Sequence, residues 1–260
     1  MTTFSIDGAV ARFTIDRPQA GNAMTWEMYD ALAAACDRTD ARFREFRDLR
    51  AFVIRGSGGV FCTGTDISQF TAFATGEDGR TYEQRLEEAV ARLERVDVPT
   101  IAEVDGIAAG AGCVIALACD LRVCSPNARF GVPIARTLGN ALSLANCARL
   151  VEHLGVARAK DLLITGRLLD VDEAAASGLV TRRAGAAELD HVVAELAAGI
   201  ARNAPLTIRA AKAAMRELSR RARLDTDPIE DMVVACYASA DFREGVSAFL
   251  AKRPPKFTGR

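Results

Sequence analysis

Two glycine-containing turns are the features of this sequence whose residue types and spacing most directly indicate chemistry. One spans residues 59–66 (GVFCTGTD) and the other spans residues 106–113 (GIAAGAGC). Each follows a buried-looking strand and precedes a predicted helical region, where the first backbone N–H groups lack intrahelical acceptors and the helix dipole is positive. Two such turns that converge would form a site for a developing oxyanion. The alternative is that small residues only allow a helix to pack closely on a sheet.

Other catalytic patterns are weaker. Residues 110–115 match the start of a dinucleotide-binding fingerprint, but Ile115 stands where the third glycine belongs. Neither a phosphate-binding GxxxxGK[ST] loop nor a GxSxG nucleophile motif occurs, and His153 is predicted to lie on a helix surface rather than to act as a base.

The seven cysteines form no CxxC pair, so we expect no disulfide scaffold and no metal site, and we interpret Cys113 as a packing residue.

Composition and charge exclude several function classes. The chain has 260 residues, with 33 Lys and Arg against 34 Asp and Glu, a net charge of −1. This balance argues against a sequence-independent grip on nucleic acid. The longest uncharged apolar stretch, residues 106–119, is shorter than a membrane-spanning helix, and the N-terminus lacks the pattern of a secretory signal. We therefore expect a cytoplasmic protein with no membrane or nucleic-acid partner.

Strands and helices alternate around the two turns, which indicates an α/β fold. Residues 10–15 alternate as a strand does, and the segments 51–54, 100–104 and 121–124 are short and apolar. Helices are predicted from an N-cap at Thr25, over residues 82–96, and from the second turn through Leu117. The C-terminal third is predicted to be mostly helical from about residue 140. Its predicted helices include one over residues 189–200, one that begins at Pro205 and two more within 229–251.

Several further segments occur in a fixed order along the chain. They are RPQAGNA (17–23), FCTGTDI (61–67), ACDLR (118–122), LLITGR (162–167), EAA (173–175), GLV (178–180) and DFREG (241–245) with KRP (252–254). Together with the second glycine turn, they resemble the crotonase superfamily, also called the enoyl-CoA hydratase/isomerase family. The resemblance covers nearly the whole chain.

The resemblance implies a fold, a ligand and an assembly. It implies an α/β, crotonase-like spiral of ββα units over residues 1–195, with a helical trimerisation region over 196–260 that also covers the site. The assembly would be a homotrimer or a hexamer. The ligand would be an acyl-CoA substrate, with coenzyme A as part of that substrate and no permanently bound cofactor or metal.

The resemblance also assigns site residues. The backbone N–H groups of Thr65 and Ala111 would hold the thioester oxygen and stabilise an enolate, as an oxyanion hole does. The residues expected to contact the acyl-CoA are Gln19, Ala20, Asn22, Cys62, Thr63, Gly64, Asp66, Ile67, Gly110, Pro133, Lys252 and Phe257.

The sequence departs from the family at both positions where hydratases carry a glutamate. Val114 and Ile134 occupy these positions, and neither side chain can transfer a proton. The candidates for a relocated acid, base or polar helper are Asp66, Tyr82, Glu83, Glu87, Arg136, Asn140 and Ser143. The alternative for each of these residues is a purely structural role, as a helix cap or as a polar group on the surface.

Three hypotheses follow for the function. The chain catalyses another crotonase-type reaction through a thioester enolate, or it hydrates enoyl-CoA slowly with the oxyanion hole alone. The third hypothesis is a non-catalytic acyl-CoA-binding or assembly protein with the same fold.

Overall fold

Two β-sheets surrounded by helices form the fold of this protein, and its computed structural model describes residues 1–222 and 229–260. The strands are β1 (Thr2–Asp7), β2 (Val10–Ile15), β3 (Ala51–Gly56), β4 (Thr100–Val104), β5 (Ile107–Ala109), β6 (Leu121–Cys124), β7 (Arg129–Gly131), β8 (Leu169–Asp170) and β9 (Arg182–Arg183). The helices are α1 (Trp26–Phe46), α2 (Gly76–Glu94), α3 (Ala111–Ala118), α4 (Ile134–Thr137), α5 (Leu144–Thr165), α6 (Val171–Ala176), α7 (Leu189–Ala201), α8 (Pro205–Ala222), α9 (Glu230–Ala238) and α10 (Ala240–Leu250).

The larger sheet has the strand order β1-β2-β3-β4-β6-β9. β1 and β2 form an antiparallel pair, and every other pair in this sheet is parallel. In β2 the residues Ala11, Phe13 and Ile15 are buried and alternate with less buried neighbours, as the sequence predicts. β4 is buried at all five positions, because helices cover both faces of a parallel sheet.

The smaller sheet has the order β5-β7-β8 and links the two glycine turns. An isolated bridge pairs Cys62 of the first turn with Ala108 of β5. The N–H of Cys62 donates to the carbonyl of Ile107 over 2.9 Å, and the N–H of Ala109 donates to the carbonyl of Cys62 over 2.9 Å. These bonds fix the first turn against the strand that leads into the second.

The region after residue 140 is less uniformly helical than the sequence predicts. Two strands lie within it: β8 pairs with β7 in the smaller sheet, and β9 pairs with β6 in the larger sheet. Each has only two residues, so no alternating pattern can appear in the sequence. The predicted boundary between residues 195 and 196 falls inside α7, which packs on the larger sheet through Leu189, Val193 and Ala197. Residues 223–228 of the predicted C-terminal region lie outside the described residues.

Helices α9 and α10 return to the middle of the fold. α9 packs along α2, where a Cβ on Gly76 would clash with Val234 and a Cβ on Gly79 would clash with Tyr237. α2 begins six residues before the predicted start at residue 82. The N-cap Thr75 and the side chain of Asp78 form a reciprocal capping box there. The glycines of this first turn let α9 approach closely.

Candidate active site

The two glycine turns meet at the N-terminus of α3. A Cβ built on Gly64 would lie 3.6 Å from the backbone nitrogen of Ala111 and 3.7 Å from the Cα of Gly110. Gly64 has a φ of +113° and Gly110 has a φ of +53°, backbone conformations that favour glycine. Glycine at both positions therefore allows the backbone conformations in which the two turns meet.

Two backbone N–H groups are free where the turns meet. No carbonyl of the described residues accepts a hydrogen bond from the N–H of Thr65 or of Ala111. Ala111 is the first residue of α3, so its N–H is one of the donors that a helix cannot satisfy internally. Both residues line the same cavity, and their N–H groups can receive a ligand oxygen there.

The cavity has a volume of about 320 Å³ and is mostly apolar. Its apolar wall includes Phe70, Leu86, Leu142 and Phe249. Many of the residues predicted for the site also line it. They are Ala20, Thr63, Gly64, Thr65, Asp66, Ile67, Tyr82, Gly110, Ala111, Pro133, Ile134 and Asn140.

The side chain of Thr65 holds the first turn in place from behind. Its Oγ1 forms hydrogen bonds with the hydroxyl of Tyr29 over 2.7 Å and with the hydroxyl of Tyr82 over 2.9 Å. Burial raises the pKa of both tyrosines, so they stay neutral at physiological pH. The hydroxyl network anchors Thr65 while its backbone N–H remains available.

Glu83 is the buried carboxyl group of the cavity wall. The hydroxyl of Tyr237 donates to its Oε1 over 2.8 Å, and the backbone N–H of Ser143 donates to its Oε2 over 3.1 Å. Burial raises the pKa of Glu83 to about 7, although both donors act to lower it. Its side chain can therefore exchange a proton near neutral pH.

Asn140 extends this cluster. Its Nδ2 donates to the hydroxyl of Tyr237 over 2.9 Å. Its Oδ1 is buried, and no donor among the described side chains and backbone reaches it. An acceptor is thus left beside the cavity for a ligand hydroxyl or a water molecule.

Asp66 is engaged in the structure of the loop. Its carboxylate accepts from the backbone N–H of Ser68 over 3.0 Å and from Arg17 over 2.6 Å. Although burial acts to raise the pKa of Asp66, the bonds from Ser68 and Arg17 hold it below its ordinary value. Asp66 caps the short helix that follows it and stays ionised at neutral pH.

The structure does not bring every predicted contact residue to the cavity. The side chain of Asn22 is fully buried in its own loop, where its amide donates to the carbonyls of Ser57 and Val60. The side chains that lie outside the cavity lining are Gln19, Asn22, Cys62, Val114, Arg136, Lys252 and Phe257. Within this set Cys62 and Val114 are buried in the core, whereas Gln19, Arg136 and Lys252 are exposed.

Cys113 and His153 lack the features of a catalytic group. Burial raises the pKa of Cys113 to about 12, so its thiol stays protonated. Burial lowers the pKa of His153 to about 4, because it disfavours the charged imidazolium. His153 lies on α5, outside the cavity. No group of three or more His, Cys, Asp or Glu side chains in residues 1–222 and 229–260 is arranged to hold a metal ion. In the same residues, no helix combines the length and hydropathy needed to cross a membrane.

Sequence reasoning missed Tyr237, the donor to Glu83. Nothing in residues 229–251 distinguishes this tyrosine from a core residue. The only sequence signal is the pair of glycines in α2, at 76 and 79, which marks a face that another element approaches closely.

The chain belongs to the enoyl-CoA hydratase/isomerase family, within the crotonase superfamily. A family model described as enoyl-CoA hydratase/isomerase matches residues 5–260. This agrees with the α/β architecture and with the two free N–H groups at the meeting point of the glycine turns.

Relatives and solved structures extend this finding. The short-chain-enoyl-CoA hydratase of Clostridium acetobutylicum is 32% identical over 252 residues, which cover 95% of this chain and 93% of that protein. The mitochondrial enoyl-CoA hydratase domain-containing protein 2 of Homo sapiens is 34% identical over 263 residues, with coverages of 98% and 87%. A methylmalonyl-CoA decarboxylase, solved in complex with 2-nitronate-propionyl-CoA, superposes with a TM-score of 0.89 at 25% identity and covers 100% of this chain and 98% of its own.

Proposed function

We propose that this protein binds an acyl-CoA thioester and stabilises its enolate with the backbone N–H groups of Thr65 and Ala111. The observation that carries this proposal is their position. Both N–H groups are free, both belong to turns that meet, and both residues line one apolar cavity. Donors held in this way do not reorganise when negative charge forms on the thioester oxygen, and each contributes about 3–4 kcal/mol to the transition state.

The reaction is a proton shift along the acyl chain rather than hydration. Hydration requires a group that activates water as well as one that protonates Cα. Val114 is buried outside the cavity lining, and Ile134 adds an aliphatic side chain to the cavity wall. Conversion of a 3-enoyl to a 2-enoyl thioester needs a single acid/base group beside a stabilised enolate, so an isomerase fits this cavity better than a hydratase.

The CoA portion of the ligand extends from the cavity over the first glycine turn. Thr63, Gly64 and Ala20 contact the thioester end, and Lys252 and Phe257 are the candidates for the nucleotide end. The likeness to methylmalonyl-CoA decarboxylase, solved with 2-nitronate-propionyl-CoA, supports a CoA thioester as the ligand. The substrate brings its own coenzyme A, and the proposed chemistry requires no resident cofactor.

The assembly is proposed to be a homotrimer or a hexamer formed through residues 196–260. Three large apolar side chains of α8, those of Leu206, Met215 and Leu218, are each more than 60% exposed in the single chain. A subunit interface would cover them. The cytoplasmic location remains a prediction, and some relatives are described as mitochondrial.

A 3-ketoacyl-CoA tests the proposed function independently of any acid or base in the cavity. Acetoacetyl-CoA forms its enolate in water without a catalyst, and the enolate has its own absorbance band. We expect the protein to bind this ligand largely as the enolate at a pH where the free ligand is mostly in the keto form. A protein that binds acyl-CoA without such a pair of donors would leave the ligand in the keto form.

A single substitution removes one donor from the site. Ala111→Pro deletes the N–H at the first position of α3, where a helix accepts proline, and Gly110 before it is outside the helical region. Loss of one such donor is expected to reduce the fraction of bound enolate and to lower turnover by about 10²–10³-fold. Ala111→Gly keeps the N–H and should lose far less. Equal behaviour of the two variants would contradict the proposed function.

A further inference from the structure

We propose that Glu83 is the acid/base group of this site and carries a proton between Cα and Cγ of a bound 3-enoyl thioester. This inference rests on the proposed function, because the enolate must be stabilised for the proton to move. Glu83 occupies neither of the two positions at which the family's hydratases carry a glutamate. Those positions, 114 and 134, lie in α3 and α4, whereas Glu83 lies in α2. Its carboxyl group therefore belongs to the part of the cavity wall that α2 forms.

The step balances without any other reactant. The carboxylate of Glu83 removes a proton from Cα, and the C–H electron pair moves towards the thioester carbonyl to give a dienolate held by Thr65 and Ala111. The resulting carboxylic acid then delivers this proton to Cγ. The double bond between Cβ and Cγ is lost, one between Cα and Cβ forms, and the carboxylate is regenerated.

The hydrogen bonds of Glu83 suit a group that gains and loses a proton. Its protein partners, the hydroxyl of Tyr237 and both the backbone N–H and the hydroxyl of Ser143, all donate to it. They stabilise the carboxylate, whereas burial in the apolar cavity wall stabilises the neutral acid. A carboxylate has about four acceptor positions, so one remains for a substrate proton.

The other candidate acid/base groups are held in ion pairs or in hydrogen bonds with other side chains. Asp66 is paired with Arg17 and caps a helix. The hydroxyls of Tyr29 and Tyr82 are shared with Thr65 and stay neutral. Glu87, one turn after Glu83 on α2, forms an ion pair with the buried Arg149 and does not line the cavity. Glu83 is the carboxyl group on the wall that carries no ion pair among the described residues.

Tyr237 acts as a positioning residue for Glu83. It reaches the site from α9, and Asn140 in turn donates to its hydroxyl. The titratable groups that face Glu83 are Tyr82 and Glu87 on its own helix, Tyr29 on α1 and Tyr237 on α9. Of these, the tyrosines stay neutral because burial raises their pKa, and Glu87 forms an ion pair with Arg149. The donation from Tyr237 acts to lower the pKa of Glu83, and a single substitution removes it.

The test compares two conservative variants on the same helix. Glu83→Gln removes the acid/base group, and Glu88→Gln makes the same chemical change at an exposed position. Isomerisation of 3-butenoyl-CoA is followed by the rise of the conjugated thioester absorbance, and deuterium incorporation at Cα in D₂O is followed by NMR. We expect Glu83→Gln to lose about 10²–10⁴-fold in both, and Glu88→Gln to retain the wild-type rates. Glu83→Gln should still bind acetoacetyl-CoA as the enolate.

A second variant supports the test if Glu83→Gln folds poorly. Burial raises the pKa of Glu83 to about 7, and Tyr237→Phe removes a donor to its carboxylate, so the apparent pKa of the isomerisation rate is expected to move to higher pH than in the wild type. The rate itself should rise with pH in both proteins, because the ionised form is the base. An unchanged profile would contradict the role of Tyr237 and Glu83.

The outcomes separate this inference from the proposed function. Isomerisation by Glu83→Gln within about tenfold of wild type would overturn the role of Glu83. Enolate binding by the wild type with neither isomerisation nor exchange at Cα would also overturn it, while leaving intact the proposed binding of a thioester enolate by Thr65 and Ala111. Failure of the wild type to bind acetoacetyl-CoA as the enolate would overturn both.

Discussion

The hydroxyl of Tyr237 in α9 donates a hydrogen bond of 2.8 Å to Glu83 in α2, from a residue 154 positions later in the chain. This bond ties the C-terminal helices to the wall of the cavity. α10 contributes Phe249 to the same wall. The C-terminal region therefore takes part in the site itself, in addition to any part in assembly.

The first prediction concerns the close packing of α2 and α9. Gly79→Ala introduces a Cβ that would lie 2.0 Å from the Cγ of Tyr237, so α9 must move away. We expect a loss of about 1–3 kcal/mol in the free energy of unfolding and, as for Tyr237→Phe, an isomerisation profile displaced to higher pH. Urea unfolding and the pH profile of the rate measure the two effects.

Gly199→Ala provides the control for this prediction. Gly199 lies in α7, and a Cβ there would meet only the side chain of Arg202 at 3.9 Å. In a helix this change should raise the free energy of unfolding by about 0.5–1 kcal/mol. Similar losses in the two variants would show that the contact with Tyr237 is not the cause.

The second prediction concerns the hydroxyl of Thr65. Thr65→Val keeps the shape of the side chain but leaves the hydroxyls of Tyr29 and Tyr82 without their shared partner. We expect a loss of about 1–3 kcal/mol in stability together with a lower rate, because the first turn is less firmly held. Thr65→Ser keeps the hydroxyl and should retain most of the stability and most of the rate. The midpoint of urea unfolding distinguishes them, and equal midpoints would refute the anchoring role.

The third prediction concerns Glu103, a buried carboxyl group on β4. It lies 3.4 Å from Arg55, and Arg12, Asp105 and Asp190 also act on its charge. Burial raises the pKa of Glu103 to about 7, against the attraction of Arg55. The folded state therefore holds a proton that the unfolded state releases at lower pH. Stability must fall as the pH rises from about 4.5 through 7, by up to about 3 kcal/mol for this group.

Glu103→Gln removes this dependence. Relative to the wild type, the variant should be more stable at pH 8 and should gain little at pH 5. Chemical denaturation at the two pH values provides the measurement. A variant that is less stable than the wild type at pH 8 would mean that the ion pair with Arg55 outweighs the burial of the charge.

Local sequence patterns predicted several strands of the larger sheet and the two glycine turns. The bounds of β4 and β6 agree with the short apolar segments 100–104 and 121–124. The two glycine turns are visible because Gly64 and Gly110 adopt positive φ values that other residues avoid. The family membership follows from the order of the motifs, and the family model that matches residues 5–260 confirms it.

Contacts between distant segments could not be predicted in the same way. The start of α2 depends on a capping box at Thr75 and on glycines, at 76 and 79, that ordinarily disfavour a helix. The environment of Glu83 depends on Tyr237, whose position is set by how α9 packs on α2. The burial of Asn22 depends on a loop that closes around its amide, which the family resemblance that assigned it a ligand contact does not reveal.

The most direct test of the proposed isomerase activity compares two substrates with the purified wild-type protein. One sample receives a 3-enoyl-CoA and the other a short 2-enoyl-CoA, and the conjugated thioester absorbance is followed in both. We expect the first sample to gain this absorbance and the second to lose it by hydration at least about 10²-fold more slowly. Rapid hydration of the 2-enoyl-CoA without isomerisation of the 3-enoyl-CoA would contradict the proposed activity, because other residues would then replace both missing glutamates.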